Sequence, residues 1–178
     1  MPLYKFEGKR PKIAENAFIH PKAIIIGDVD IGQGSYIGAG AVLRGDFGRI
    51  IIGKGTSVQD NCIIHADIEA TAIIEANCLV AHCAIVHGPC VIREWSVVGQ
   101  GANIVGFNSE MGNECILAAG SLLPPGMSIP ARKLAMGNPA RIVRDVTDKM
   151  VNELIVAGVR YYQQLARRCL SSLTLIDE

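Results

Sequence analysis

The chain has 178 residues, 49% of them hydrophobic, with 17 basic residues set against 17 acidic ones and a mean hydropathy of +0.29. That length and apolar content suit one domain with a full core, and the zero formal charge excludes a chain that engages nucleic acid or an anionic membrane through bulk electrostatics. Aromatics are only 5% while glycines number 19, so the interior is expected to be narrow and filled by small and β-branched residues.

Taken from its start, the sequence Met-Pro-Leu-Tyr-Lys-Phe-Glu-Gly-Lys-Arg carries no apolar signal-peptide region, and no apolar run approaches the ~20 residues of a membrane span. A soluble, cytoplasmic protein is expected. From Ile19 onward an aliphatic residue recurs every six positions, with a small residue four places after it. Ile25, Ile31, Ile37 and Leu43 set the phase, and Ser35 and Ala41 fill two small slots. After three extra residues the pattern resumes at Ile52, Val58 and Ile64; after four more it runs through Ile74, Val80, Val86, Ile92 and Val98. One further slip is read as leading to Val105, Met111, Leu117 and Leu123.

A helix would repeat every 3.6 residues and an alternating strand every two. A period of six means short strands joined by tight corners, three hexads to one triangular coil. Sequences of this type resemble the left-handed β-helix family, so the expected fold class is mainly β, a left-handed parallel β-helix of hexapeptide repeats with a C-terminal α-helix. About six coils fit between Ile19 and Met127, and Gly137-Asn138-Pro139-Ala140-Arg141 reads as the turn that ends them. Thr147 is the expected N-cap of a helix whose apolar stripe is Met150, Leu154, Ile155, Tyr161, Tyr162 and Leu165, lying along the prism or over its end. The organisation expected is a β-helix over 1–142, lead-in and closing turn included, with the helix and tail of 143–178 packed on it as part of a single domain.

The phase places the histidines. Hexads starting at Leu43, Ile64 and Val86 share one face, so Arg44, His65 and His87, each following the inward aliphatic residue, form one outward column. Adjacent coils are spaced like paired strands, ~4.8 Å, close enough for two imidazoles to converge on one metal. His82 belongs to the preceding face, in the column of Asp60, and joins the other two most easily from a neighbouring subunit around a threefold axis. The pattern therefore suggests a homotrimer with metal sites between its chains. Three imidazoles and an open position make a catalytic zinc arrangement, since Zn²⁺ brings the pKa of bound water to about 7. The alternative is that the histidines only decorate the surface, which is the reading given to His20. Three imidazoles suit Zn²⁺, Fe²⁺ and Co²⁺ alike.

Cys62, Cys78, Cys90 and Cys115 all occupy the small slot and are expected to be core fillers. No Cys-x-x-Cys pair occurs. Cys83 stands beside His82, and Cys169 falls in the terminal helix.

Arg44-Gly45-Asp46, Val58-Gln59-Asp60-Asn61, Ile64-His65 and the His82 to His87 segment resemble the γ-class carbonic anhydrase-like proteins in kind, order and approximate spacing. The resemblance covers nearly the whole chain. It implies a homotrimer in which His65 and His87 of one subunit and His82 of the next bind the metal. It implies salt bridges across the interface from Arg44, Asp46 and Asp60, and a Gln59 that orients the reacting water or the bicarbonate product. The Arg-Gly-Asp-Phe-Gly-Arg-Ile stretch at 44–50 and the N-terminal Tyr-Lys-Phe-Glu-Gly are similar to the subgroup that includes the phenylacetate-degradation protein PaaY and the carnitine-operon protein CaiE. The archetypal family member has a glutamate where Phe47 stands, and a long acidic loop where this chain has only Asp67, Glu69 and Glu75. Reversible hydration of carbon dioxide is the activity the resemblance implies. An acyl-CoA thioesterase of phenylacetate- or carnitine-related metabolism using the same metal site is the alternative, and a non-catalytic or acyltransferase-like trimer is the third.

Overall fold

The computed structural model describes residues 3–176, which wind into a left-handed parallel β-helix of seven rungs closed along one side by a C-terminal helix. The first face stacks Phe18–Ile19, Tyr36–Ile37, Ser57–Val58, Leu79–Val80, Val97–Val98, Ile116–Leu117 and Lys133–Gly137, every neighbouring pair parallel. The second and third faces share one sheet, because the long strands Ile24–Ile31 and Val42–Ile52 run straight round the corner between them. Inward aliphatic residues stack in register: Leu43 lies beside Ile64 and Ile64 beside Val86, all three fully buried. Each such side chain contributes about 1.5–3 kcal/mol when removed from water. The expected small slots are the buried corners, with Ser35, Thr56, Cys62, Cys78 and Cys115 each at 0% exposure.

Three details of the coil and its closing segment differ from the sequence reading. The coil does not stop near Met127, because Ile129 and Ala135 keep the period of six and are buried in the same core, which makes the seventh rung. The segment after it folds back as an antiparallel hairpin of Lys133–Gly137 with Ala140–Asp145, the Asn138-Pro139 turn at its tip. The last slip comes later than expected: Ile104, not Val105, is the buried residue, aligned with Val86 and Leu123. The extra residue is taken up at Gly106, Phe107 and Asn108, all at positive φ.

The Thr147 side chain accepts a hydrogen bond from the Met150 N–H at 3.3 Å and opens the helix as expected. A wide π-type turn over Val151–Val156 follows Asp148–Met150 and precedes the regular helix Ala157–Ser172. The helix runs down the first face against the direction of stacking. Val151 and Ile155 pack on Ile116 and Leu134 near the last rungs, while Tyr162 and Ala166 meet Tyr36 and Phe18 near the first. The wide turn shifts the helical phase, so Leu154 and Tyr161 of the expected stripe face solvent at 55% and 59% exposure. Among the described residues no helix is long and apolar enough to cross a membrane.

Candidate metal centre

His65 and His87 stand opposite each other on neighbouring strands, Ile63–Ala66 and Ile85–Gly88, with Arg44 one rung before. Both rings leave the same face of the sheet, as the phase predicted. His65 Nδ1 lies 3.1 Å from His87 Nε2, and His65 Nε2 lies 3.1 Å from Asp46 Oδ1. With Nε2–H donating to that carboxylate, the Nδ1 lone pair of His65 is left facing His87. Burial lowers the pKa of the His65 imidazole, more than its bond to Asp46 raises it, and the Arg44 and His87 charges add to the lowering. The ring is thereby kept neutral, the form a metal requires.

Asp46 is available because three extra residues widen the corner between the second and third faces: Gly27 pairs with Gly45, but Val29 pairs with Ile50. Burial alone would raise its pKa. The hydrogen bonds from Arg44 Nη1 at 2.6 Å, from the Phe47 N–H at 2.9 Å and from His65 outweigh that and hold the carboxyl below its ordinary value. The Phe47 ring lies beside His65, with centroids 5.6 Å apart, and the Arg44 guanidinium sits 5.8 Å from its centre. Asp67, in the four-residue insertion one rung on, reaches 3.8 Å from His87 Nε2.

His82 is on a different corner, between the first and second faces. Its Nδ1 lies 3.4 Å from Asp60 Oδ2, and the Tyr162 hydroxyl lies 3.3 Å from its Nε2. Asp60 is itself held by the Ala39 N–H at 2.8 Å, and the adjacent rung carries Gly38 there because a Cβ would strike the Asp60 backbone nitrogen. Gln59 is buried at 4% exposure on the same rung. Burial, then the Asp60 charge, pushes the Tyr162 phenol up and takes that of Tyr36 to about 12. Tyr162 belongs to the expected apolar stripe. It does pack on Tyr36, but its contact with His82 spans 80 residues, and the period of six carries no information about which helical residue lies over which rung.

The residues thus form two groups within one chain: Arg44, Asp46, His65 and His87 together, and Gln59, Asp60, His82 and Tyr162 together. Among the described residues no group of three or more His, Cys, Asp or Glu side chains converges closely enough to hold a metal. Two imidazole nitrogens bound tetrahedrally at ~2.0–2.1 Å stand about 3.3 Å apart, so the His65–His87 pair fits two positions of a zinc-like ion. Four cysteines are excluded from this chemistry by burial, which raises the thiol of Cys62 to about 11, those of Cys78 and Cys90 to about 12, and that of Cys115 above its usual value.

Comparison with known proteins agrees with the hexapeptide repeat. Residues 10–45 match the family model described as bacterial transferase hexapeptide (six repeats). The carnitine operon protein CaiE of Salmonella agona is 41% identical over 174 residues, which are 98% of this chain and 86% of the relative. A hexapeptide transferase family protein from Anaplasma phagocytophilum has a solved structure that superposes with a TM-score of 0.88 at 33% identity, over 93% of this chain and 96% of the other. A Bacillus cereus structure superposes with a TM-score of 0.85 at 34% identity, over the same 93% and 96%. Identity at this level, sustained across both chains and joined to the Arg44, Asp46, His65 and His87 arrangement, means that the chain belongs to the γ-class carbonic anhydrase-like hexapeptide-repeat family, on the branch of CaiE.

Proposed function

We propose that the protein is a metal-dependent lyase that works as a homotrimer, with His65 and His87 of one subunit and His82 of the next holding Zn²⁺, and that it hydrates carbon dioxide reversibly. The observation that carries the reading is the 3.1 Å approach of His65 Nδ1 to His87 Nε2, two imidazole donors side by side with Asp46 behind His65. Fe²⁺ and Co²⁺ suit the same donors. The ion, when bound, supplies Lewis acidity and a water that ionises near pH 7.

The chain's own residues do the rest. Asp46 fixes the His65 tautomer, and Arg44 holds Asp46. Asp60 orients the His82 ring through Nδ1, and Tyr162 then covers the Nε2 that would turn toward the neighbouring subunit. Gln59 offers an amide to orient the reacting water or bicarbonate. Exposed Phe47, Ile63 and Ile85 surround the His65–His87 column and supply apolar area for a packed subunit.

One observation favours a second substrate. Phe47, 55% exposed beside His65, gives the site an apolar wall where carbon dioxide hydration at full rate needs a proton acceptor. An acyl-CoA thioester would use that wall, and the carnitine operon named for CaiE is a setting in which such substrates fit. The reaction would release free CoA and a carboxylate, with the same water as nucleophile.

The test is metal content per subunit and mass in solution for wild type and His82→Ala, followed by stopped-flow hydration and a CoA-release assay. One metal per chain in a wild-type trimer, lost in the variant, supports the shared site. A metallated trimer that hydrates no faster than buffer but releases CoA selects the second substrate, and a trimer that refuses metal removes both.

A further inference from the structure

A second candidate site lies at the corner between the third and first faces, away from both histidine groups. There the C-terminal helix and four successive corners enclose a cleft of about 560 Å³. The corner residues Asn16, Gly34, Gly55 and Asn77 sit one above another, all at positive φ, which aligns their backbones in a narrow column. Gln163 from the helix closes one side: its Nε2 donates to Gly55 O at 3.2 Å and to Asn77 Oδ1 at 3.0 Å. A Cβ at Gly34 would meet nothing within 4 Å, because the cleft opens directly above it.

The lining is chemically one-sided. Lys54 and Arg167 bring two cations, Asn16, Gln33, Asn77 and Gln163 bring four amides, Leu170 supplies an apolar wall, and among the described residues no carboxylate lines the cleft. Among the described residues, neither Lys54 nor Arg167 makes an ion pair, although most other arginines that flank the coil corners do. Gln163 spends its Nε2 on Gly55 and Asn77, which leaves its Oε1 and the Asn77 Nδ2 as one acceptor and one donor for a ligand. A purine base offers both kinds of group on its edges. The volume falls in the range of small-molecule pockets, well above the needs of a lone phosphate.

We propose that this cleft binds a nucleoside phosphate, with the phosphate between Lys54 and Arg167 and the base edge on the Asn77–Gln163 amide pair. It does not depend on the metal centre or on what that centre does.

The full-length protein is titrated calorimetrically with ADP, adenosine and inorganic phosphate as separate probes, and the same is done for Lys54→Gln, Arg167→Gln and Gly34→Asn. Both charge substitutions are at exposed positions, and asparagine already occupies the same backbone conformation at Asn16 and Asn77, so unchanged melting is expected. ADP should bind at least tenfold more tightly than either fragment, and each charge variant should weaken it at least tenfold. Gly34→Asn should weaken it by obstruction without removing charge. Absence of ADP binding, binding unaffected by the charge variants, or phosphate binding as tight as ADP would each overturn the proposal.

Discussion

Replacing Asp46 with Asn separates a metal-centre role from a structural one. The substitution keeps the shape of the side chain while removing the charge that receives bonds from Arg44, the Phe47 N–H and His65. Arg44 is 41% exposed, so loss of its ion pair costs stability less than ~1 kcal/mol. In a chain of this size that moves the melting temperature by no more than about 4 °C. The His65 tautomer is another matter, since an amide competes poorly as acceptor for Nε2–H and weakens the basicity of Nδ1. Loss of such an outer carboxylate lowers metal affinity about 10–100-fold, or about 1.4–2.7 kcal/mol. Competition for Zn²⁺ against a chromophoric chelator, alongside thermal melting of the metal-free form, measures both. Unchanged affinity would refute the reasoning, and so would a collapse of several kcal/mol in the metal-free protein.

Further expectations follow from the same residues. Phe47→Glu should raise carbon dioxide hydration about tenfold in weak buffer by placing a proton acceptor beside His65, and no gain in stopped-flow rate would count against Phe47 as the missing relay. Ile104→Ala should destabilise the fold by about 2–5 kcal/mol in urea melts, while Val105→Ala should cost under ~1 kcal/mol, and the reverse order would mean the fifth rung is misregistered. Cys62, Cys78 and Cys90 hold their protons to about 11 or 12 when folded but ionise near 8.5 when unfolded. Above the unfolded value the folded state therefore binds more protons, and stability should fall with rising pH by up to about 1.4 kcal/mol per unit per thiol. A urea midpoint flat from pH 8 to 10.5 would contradict this burial.

Much of the architecture is legible in the sequence because a β-helix writes its geometry as a strict repeat. The inward aliphatic residue and the small corner residue are set by the interior width, so counting in sixes places Ile64 beside Val86 and hence His65 beside His87. The count misplaced Val105 because Val98, Ile104 and Val105 are all aliphatic, and only strand pairing decides which one turns inward. The seventh rung escaped because its inward residue is Ala135, too small to stand out from a turn-rich neighbourhood. Helix contacts were hardest to foresee: a wide turn at Val151–Val156 rephases the stripe, and nothing local in the sequence couples Tyr162 to His82 or Gln163 to Gly55.

Every departure from the period of six between Ile19 and Ala135 falls at one corner, where the second face passes into the third. Three extra residues follow Leu43, four follow Ile64 and one follows Ile104, while each of the other corners keeps a fixed length. At this edge, away from the helix, each rung is paired only with the rungs beside it, so added chain loops outward and leaves the neighbouring layers undisturbed. Asp46, Phe47 and Asp67 all lie in that added chain. The prism can therefore keep its register while the length and residues of this single edge change.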